Sequence, residues 1–371
     1  MILPENYSLE HIDGLAKRYG SDRFIAERAM YAFGLLEAIS RTGLKFTFKG
    51  GSCLMLLLDN PKRLSTDIDI MVDPGTDVEH YIEEAGKIFP FVDYQESIRP
   101  GHGNIEKRHF RFFYNSPIMD DTITILLDVL YEKEHYASVI ERPIESSLIL
   151  TANEPLYVKM PNVNCILGDK LTAFAPHTTG IPFMIDKDME IIKQFHDCTT
   201  LFHAMDDFSE VKETFRAVAN TEMTYRNLKI KPEDILEDSI ESCMCIIGNG
   251  RINAPEYDIY NSGIDRIQGH LFDVDLNRNT IAYSACELMY LCSCIYRDTD
   301  TCDNSMKADT KDKIDIGNNK VSRAIGYIRK ANKTAGLYLK EAVALLGDDY
   351  ERLQEHVQNR SLERVAGEEE K

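Results

Sequence analysis

The chain has 371 residues, 43% hydrophobic and 28% charged, enough for two domains with packed cores and too apolar for a disordered segment. Its net charge of −19 excludes a general nucleic-acid binder, because phosphate contact needs basic surface; a nucleic-acid partner would be a defined acceptor in a local basic groove. No apolar run reaches the roughly 18 residues of a membrane helix, and the opening MILPENYSLEHIDGLAKRYG lacks the basic-then-apolar layout of a secretory signal, so a cytoplasmic protein with no membrane partner is expected.

The nine cysteines are irregularly spaced, with Cys243 and Cys245 and then Cys292 and Cys294 as CxC pairs. They read as reduced, partly buried small apolar residues in helices rather than a zinc cluster.

In chain order, a short helical segment opens residues 1–20. Residues 23–42 follow with Ala26, Ala29, Met30, Phe33, Leu36 and Ile39 at helical spacing, and Gly43 serves as C-cap. A short strand at 44–48 feeds a Gly-Gly turn, and a helix and a strand to Val72 come next. Asp73, Pro74 and Gly75 break that strand. A helix at 78–89, an extended piece at 91–96 and a loop at 100–104 lead to residues 105–114. There Lys107, His109 and Arg111 alternate with Arg108, Phe110, Phe112 and Tyr114, a strand with one basic face that could border a nucleotide or acceptor. Residues 122–131 form a second strongly β-prone run, and 144–151 and 156–160 are further strand candidates.

From residue 164 the period changes to helical. Helices are expected at 164–175, 186–204, 208–220, 232–247, 257–272, 279–296, 320–331 and 335–346. A polar connection spans 297–319, and the tail from Leu362 is expected to fray. His203 and His270 read as structural.

The stretch KGGSCLMLLLDNPKRLSTDIDIMV, residues 49–72, carries the chemistry. Strand alternation puts Asp67 and Asp69 on one side and Ile68 and Ile70 on the other. Two carboxylates that close repel unless a cation lies between them, and hard oxygen ligands favour Mg²⁺ or Mn²⁺. The turn at Gly50 and Gly51 lets backbone approach a ligand. The helix start behind it, with the Ser52 hydroxyl, suits a phosphate. Asp128, inside an apolar strand, needs a reason to be there, since an unpaired buried charge is costly.

This Gly-Gly-Ser turn, apolar helix, basic loop and DxD strand resembles the core of the polymerase-β-like nucleotidyltransferase superfamily. Its form is similar to that of the AbiEii family, toxin-type enzymes of abortive-infection and toxin–antitoxin pairs. Arg63, Ser65, Asp67 and Asp69 match the family's R-x-S-x-D-[ILV]-D signature. The resemblance implies that Asp128 is a third metal carboxylate beside Asp67 and Asp69. It implies that Gly50, Gly51, Ser52, Arg63 and Ser65 bind nucleotide. Lys170 matches a K-[LI]-x-A segment, implying a lysine at a helix start that contacts triphosphate. Lys193 and Asp197 match a K-x-x-x-D pattern of active-site residues, with Gln194 where the family often carries aspartate.

The implied fold is α+β. A nucleotidyltransferase core, a mixed sheet with flanking helices, occupies 1–165. A mostly helical domain, 166–371, contributes Lys170, Lys193 and Asp197 to the cleft. The implied activity is Mg²⁺-dependent transfer of NMP from an NTP to an acceptor, a tRNA 3′ end or a protein side chain, with a cognate antitoxin as partner. Two alternatives are a non-catalytic nucleotide-binding module with the same fold and a DxD glycosyltransferase. The second usually has a longer nucleotide domain before its DxD.

Overall fold

The structure is a computed structural model that describes residues 1–97, 106–272, 274–307, 316, 320–360 and 362. The loop expected at 100–104, most of the latter half of the connection at 297–319 and the tail beyond 362 lie outside the described residues. Contacts divide the chain into two units. Unit 1 is Met1–Asn162 with Gln268–Val274, and unit 2 is Val163–Ile267 with Asp275–Lys371.

In unit 1, α1 (Leu9–Tyr19) and α2 (Arg23–Arg41) come first. The Asp22 carboxylate caps α2 by accepting from the Phe24 and Ile25 amides at 2.8 and 3.2 Å, which satisfies two of the free N–H groups of a helix start. The expected apolar stripe is buried, from Ala26 to Ile39. Gly43 at φ +83° follows the Thr42 cap.

Seven strands follow: β1 (Thr47–Lys49), β2 (Ile68–Val72), β3 (Phe91–Glu96), β4 (Lys107–Asn115), β5 (Thr122–Tyr131), β6 (Val139–Pro143) and β7 (Tyr157–Pro161). Helix α3 (Gly50–Leu57) joins β1 towards β2, and α4 (Glu79–Gly86) precedes β3. The sheet order is β3-β4-β5-β2-β1-β7-β6. β2 runs parallel to β5 and β1 parallel to β7, and the other pairs are antiparallel. This is the mixed sheet with flanking helices that the resemblance implied. One face is the core. Phe48, Ile70, Phe112, Ile125, Leu127 and Val129 are at most 1% exposed, each stabilising by roughly 1.5–3 kcal/mol.

Two expected elements differ. Residues 144–151 are not a strand. The Ile149 amide donates to the Ser146 carbonyl at 3.2 Å, closing a turn, and the Ser146 hydroxyl donates to the Met55 carbonyl at 2.8 Å. The pairing partner of β7 lies upstream instead, at β6. The helix expected at 257–272 is α9 (Ala254–Ile267) and stops short. Beyond it the chain joins unit 1, where the Leu64 amide donates to the His270 carbonyl at 2.7 Å and the Phe272 amide to the Lys62 carbonyl at 2.9 Å. His270 itself is buried and contacts the Leu64 carbonyl at 3.2 Å, a structural histidine.

Unit 2 is helical: α5 (Val163–Ala173), α6 (Asp188–Ala204), α7 (Phe208–Tyr225), α8 (Pro232–Gly248), α9, α10 (Arg278–Tyr296), α11 (Lys320–Ile325), α12 (Ile328–Ala331), α13 (Lys333–Leu346) and α14 (Asp349–Asn359). Cys198, Cys243, Cys245, Cys286, Cys292 and Cys294 are free and buried, as small apolar residues are. Arg360, whose side chain is 6% exposed, is clamped by Glu241 at 2.8 Å, by Asp238 at 3.4 Å and by Glu256. That network ties the end of α14 to α8 and α9.

Candidate active site

The turn between β1 and α3 is built to let side chains close on the backbone. Gly50 has φ +78°, and a Cβ there would stand 1.9 Å from Asp69 Oδ2. A Cβ on Gly51 would stand 2.6 Å from the Arg63 Nη2 and 3.0 Å from Ser65 Oγ. Only glycine accommodates both approaches. The Ser52 hydroxyl donates to the Asp67 carbonyl oxygen, tying α3 to the start of β2. Arg63 is 7% exposed, with Nη1 donating to the Leu64 carbonyl at 3.1 Å, so it stands behind the glycines as fixed positive charge.

Strand register does the rest. Lys49 pairs with Asp69, Asp69 with Asp128, and Asp128 with His109. Neighbouring strands lie about 4.8 Å apart, and paired residues share a face. Four chemical groups therefore form one row across β1, β2, β5 and β4. Asp67 sits two residues before Asp69. His109 Nδ1 is 2.7 Å from Asp128 Oδ1, and Asp67 Oδ1 is 3.4 Å from the Arg28 guanidinium of α2. The Lys49 ammonium lies 5.8 Å from the centre of the Tyr136 ring.

Asp67 and Asp128 are 46% and 38% exposed at the side chain, so both can meet a ligand. Carboxylate oxygens are the donor type that Mg²⁺ and Mn²⁺ take, but among the described residues no three His, Cys, Asp or Glu side chains stand close enough together to hold a metal ion as placed. A cavity of about 400 Å³ elsewhere in unit 1, lined among others by Lys45, Asp73, Glu132, Glu134, Glu141 and Lys159, lies at the opposite end of β2 and includes none of these residues.

Gly50, Gly51, Ser52, Arg63, Ser65, Asp67, Asp69 and Asp128 thus all fall in unit 1, around one turn and one row. Within unit 2, Lys170 is in the last turn of α5, not at a helix start. Its ammonium lies 3.0 Å from Asp197 Oδ2 and 2.9 Å from Gln194 Oε1. Gln194, the departure from the family pattern, accepts from this lysine. Lys170 is 9% and Asp197 1% exposed. Lys193 precedes Asp197 by one turn on α6. Burial first, and then the Asp197 charge, push the Cys198 thiol well above its ordinary range.

Two contacts escaped the sequence reading. Arg28 was one of three charges, with Glu27 and Glu37, inside an otherwise apolar helix stripe, a signal available in the pattern. Of the basic face at Lys107, His109 and Arg111, only His109 stands opposite Asp128, which the alternation alone cannot single out.

A family model described as nucleotidyl transferase AbiEii toxin, type IV TA system, matches residues 34–244, more than half of the chain. JHP933 from Helicobacter pylori has a similar structure at 14% sequence identity and TM-score 0.40, covering 73% of this chain and 93% of that one. A second H. pylori structure, described as a "putative nucleotidyltransferase", has 13% identity and TM-score 0.39, covering 73% and 96%. No curated protein matches. The family match runs through the glycine turn, the DxD strand, Asp128 and the Lys170 and Asp197 helices, and on that span the chain belongs to the AbiEii nucleotidyl transferase toxin family of type IV toxin–antitoxin systems.

Proposed function

We propose that the chain is a metal-dependent nucleotidyltransferase that moves NMP from an NTP to an acceptor hydroxyl, acting as the toxin of a toxin–antitoxin pair. The register that sets Asp69 beside Asp128, with Asp67 two residues away, is the observation that carries this reading. Asp67, Asp69 and Asp128 would hold Mg²⁺ or Mn²⁺, which offsets charge on phosphate oxygens and at the α-phosphorus.

The chain's own groups have distinct tasks. The first turn of α3, at Gly50, Gly51 and Ser52, offers backbone N–H groups and a positive dipole end to the β- and γ-phosphates. Arg63 supports that turn from behind Gly51, and Ser65 lies beside it. The acceptor oxygen bonds the α-phosphorus, the bond to the β-phosphate breaks and pyrophosphate leaves. The acceptor hydroxyl gives up its proton beside Asp128. Roles for Lys170 as a phosphate contact and for Lys193 and Asp197 as positioning groups rest on the family resemblance. An RNA 3′ end, that of a tRNA, is the favoured acceptor, in keeping with an acidic chain that meets a defined partner. A cognate antitoxin is the expected protein partner.

The test is purified chain with each α-labelled NTP, total tRNA and Mg²⁺. Labelled tRNA and released pyrophosphate are expected. Both should vanish with EDTA and in Asp69→Ala, whose circular dichroism should match wild type. Full transfer by Asp69→Ala would sink the mechanism, and NTP binding without pyrophosphate release would favour the non-catalytic module.

A further inference from the structure

Arg28 has no role in the reading above, yet it touches one of its central carboxylates. Helix α2 holds it in place. Glu27, one residue earlier and 1% exposed, accepts from the Tyr114 hydroxyl at 2.9 Å and the Ser116 hydroxyl at 3.0 Å. The Tyr31 ring stacks on Tyr114 at 3.6 Å, and Asp22 caps the helix start. The backbone under Arg28 is therefore fixed to β4, and the guanidinium reaches Asp67 from a rigid base.

The contact itself is loose. Nη2 stands 3.4 Å from Asp67 Oδ1, where a tight charged hydrogen bond is about 2.7–2.9 Å. Arg28 Nε is buried and has no hydrogen-bond partner among the described residues. The side chain is 37% exposed, so part of the fork is open to a ligand. A guanidinium with unused donors and one stretched carboxylate contact is suited to a phosphate, which it can grip with two parallel N–H bonds.

We propose that Arg28 is an exchange residue for the nucleotide: it pairs with Asp67 in the empty site and transfers to a phosphate of the incoming NTP when a divalent cation takes over Asp67. The inference rests on the nucleotidyltransferase reading of this site. It makes the two ligands respond to Arg28 in opposite directions. A bare cation must compete with the guanidinium for Asp67, so Arg28 opposes metal alone. A metal-bound triphosphate brings the negative charge that Arg28 then holds, so Arg28 favours the pair. The chain thereby resists loading metal without nucleotide.

The experiment uses the full chain as wild type, Arg28→Ala and Arg28→Lys. Mn²⁺ binding without nucleotide is read from the loss of the free-ion paramagnetic resonance signal. Binding of α,β-methylene NTPs with Mg²⁺, which cannot be turned over, is read by titration calorimetry. Arg28→Ala should bind Mn²⁺ several-fold more tightly. It should bind the nucleotide about 10- to 100-fold more weakly, the range of one charge-assisted hydrogen bond. Arg28→Lys keeps the charge but not the fork, so it should bind Mn²⁺ like wild type and the nucleotide more weakly. If Arg28→Ala does not fold, the lysine variant alone decides: nucleotide affinity within twofold of wild type overturns the proposal. A folded Arg28→Ala that binds both ligands like wild type, or both more weakly, also overturns it. Wild-type protein that binds neither Mn²⁺ nor any analogue overturns instead the reading of the site as a nucleotide site.

Discussion

Gly50→Ala separates the cost of backbone strain from the cost of a displaced carboxylate. At Gly50 the added Cβ would lie 1.9 Å from Asp69 Oδ2, 2.7 Å from its Cγ and 2.9 Å from its Cβ. Rotating the carboxylate cannot relieve the last of these, because the Asp69 Cβ is fixed to β2. The carboxylate must therefore retreat by at least about 1.1 Å to reach the 3.0 Å floor of such contacts, and a misplacement near 1 Å costs about 100-fold in rate. The φ of +78° adds strain of roughly 1–2 kcal/mol for a residue with a side chain. Gly43 is the control. Its φ is +83°, and a Cβ there meets nothing within 4 Å, so Gly43→Ala carries the strain alone. Both variants should melt a few degrees below wild type, at about 2–4 °C per kcal/mol for a domain of this size. Transfer of labelled NMP should fall about 100-fold in Gly50→Ala and stay near wild type in Gly43→Ala. Gly50→Ala with a rate within threefold of Gly43→Ala would refute the claim that the glycine turn exists to admit Asp69.

Two further expectations concern other elements. His109→Ala removes the 2.7 Å partner of Asp128, and loss of such an outer partner should lower metal affinity or turnover about 10- to 100-fold; steady-state rates across a Mn²⁺ titration check it, with partial rescue expected from His109→Asn and unchanged behaviour counting against it. His203, half-exposed at the end of α6, has its pKa raised by the 3.1 Å hydrogen bond to Glu287 on α10 and then by that carboxylate's charge and an Asn304 backbone contact, against the opposing pull of burial. A raised folded-state value means the stabilisation is full below the unfolded value of about 6.5 and is lost as pH rises through the folded one. The melting gap between wild type and His203→Gln should therefore be present near pH 5.5 and close near pH 8.5, and a gap that opens with rising pH would contradict the pairing.

How far the sequence could be read depended on whether the deciding interaction was local. Helix α2 and strand β5 were legible because their periods, 3.6 and 2, are written in consecutive residues. The turn at Gly50 and Gly51 and the pair Asp67 and Asp69 were legible for the same reason. The strand expected at 144–151 failed because its apolar residues, Ile144, Leu148 and Ile149, are buried singly around a Ser146 turn, and composition does not distinguish that from a ladder. Helix α14 was missed because its inward stripe of Tyr350, Leu353 and Val357 is thin among charged neighbours. Arg28 and His109 were out of reach as contacts, since each depends on an element packed from a distant part of the chain.

The same alternation that builds the core of unit 1 also assembles its chemistry. Leu127 and Val129 pair with Ile68 and Ile70 on the buried face, and all four are at most 1% exposed. Asp128 and Asp69 lie between them and must therefore emerge together on the other face. A slip of one residue between β2 and β5 would send Asp128 into the core and Leu127 to the surface, a cost paid in several buried side chains at once. Phe110 and Phe112 impose the same condition on β4, since they pair with Leu127 and Ile125 and leave His109 opposite Asp128. The carboxylates repel one another, so nothing in their own interaction would bring them into a row. They are held there because hydrophobic burial on the far side of the sheet sets the register, and the free energy that keeps like charges adjacent is that of the core behind them.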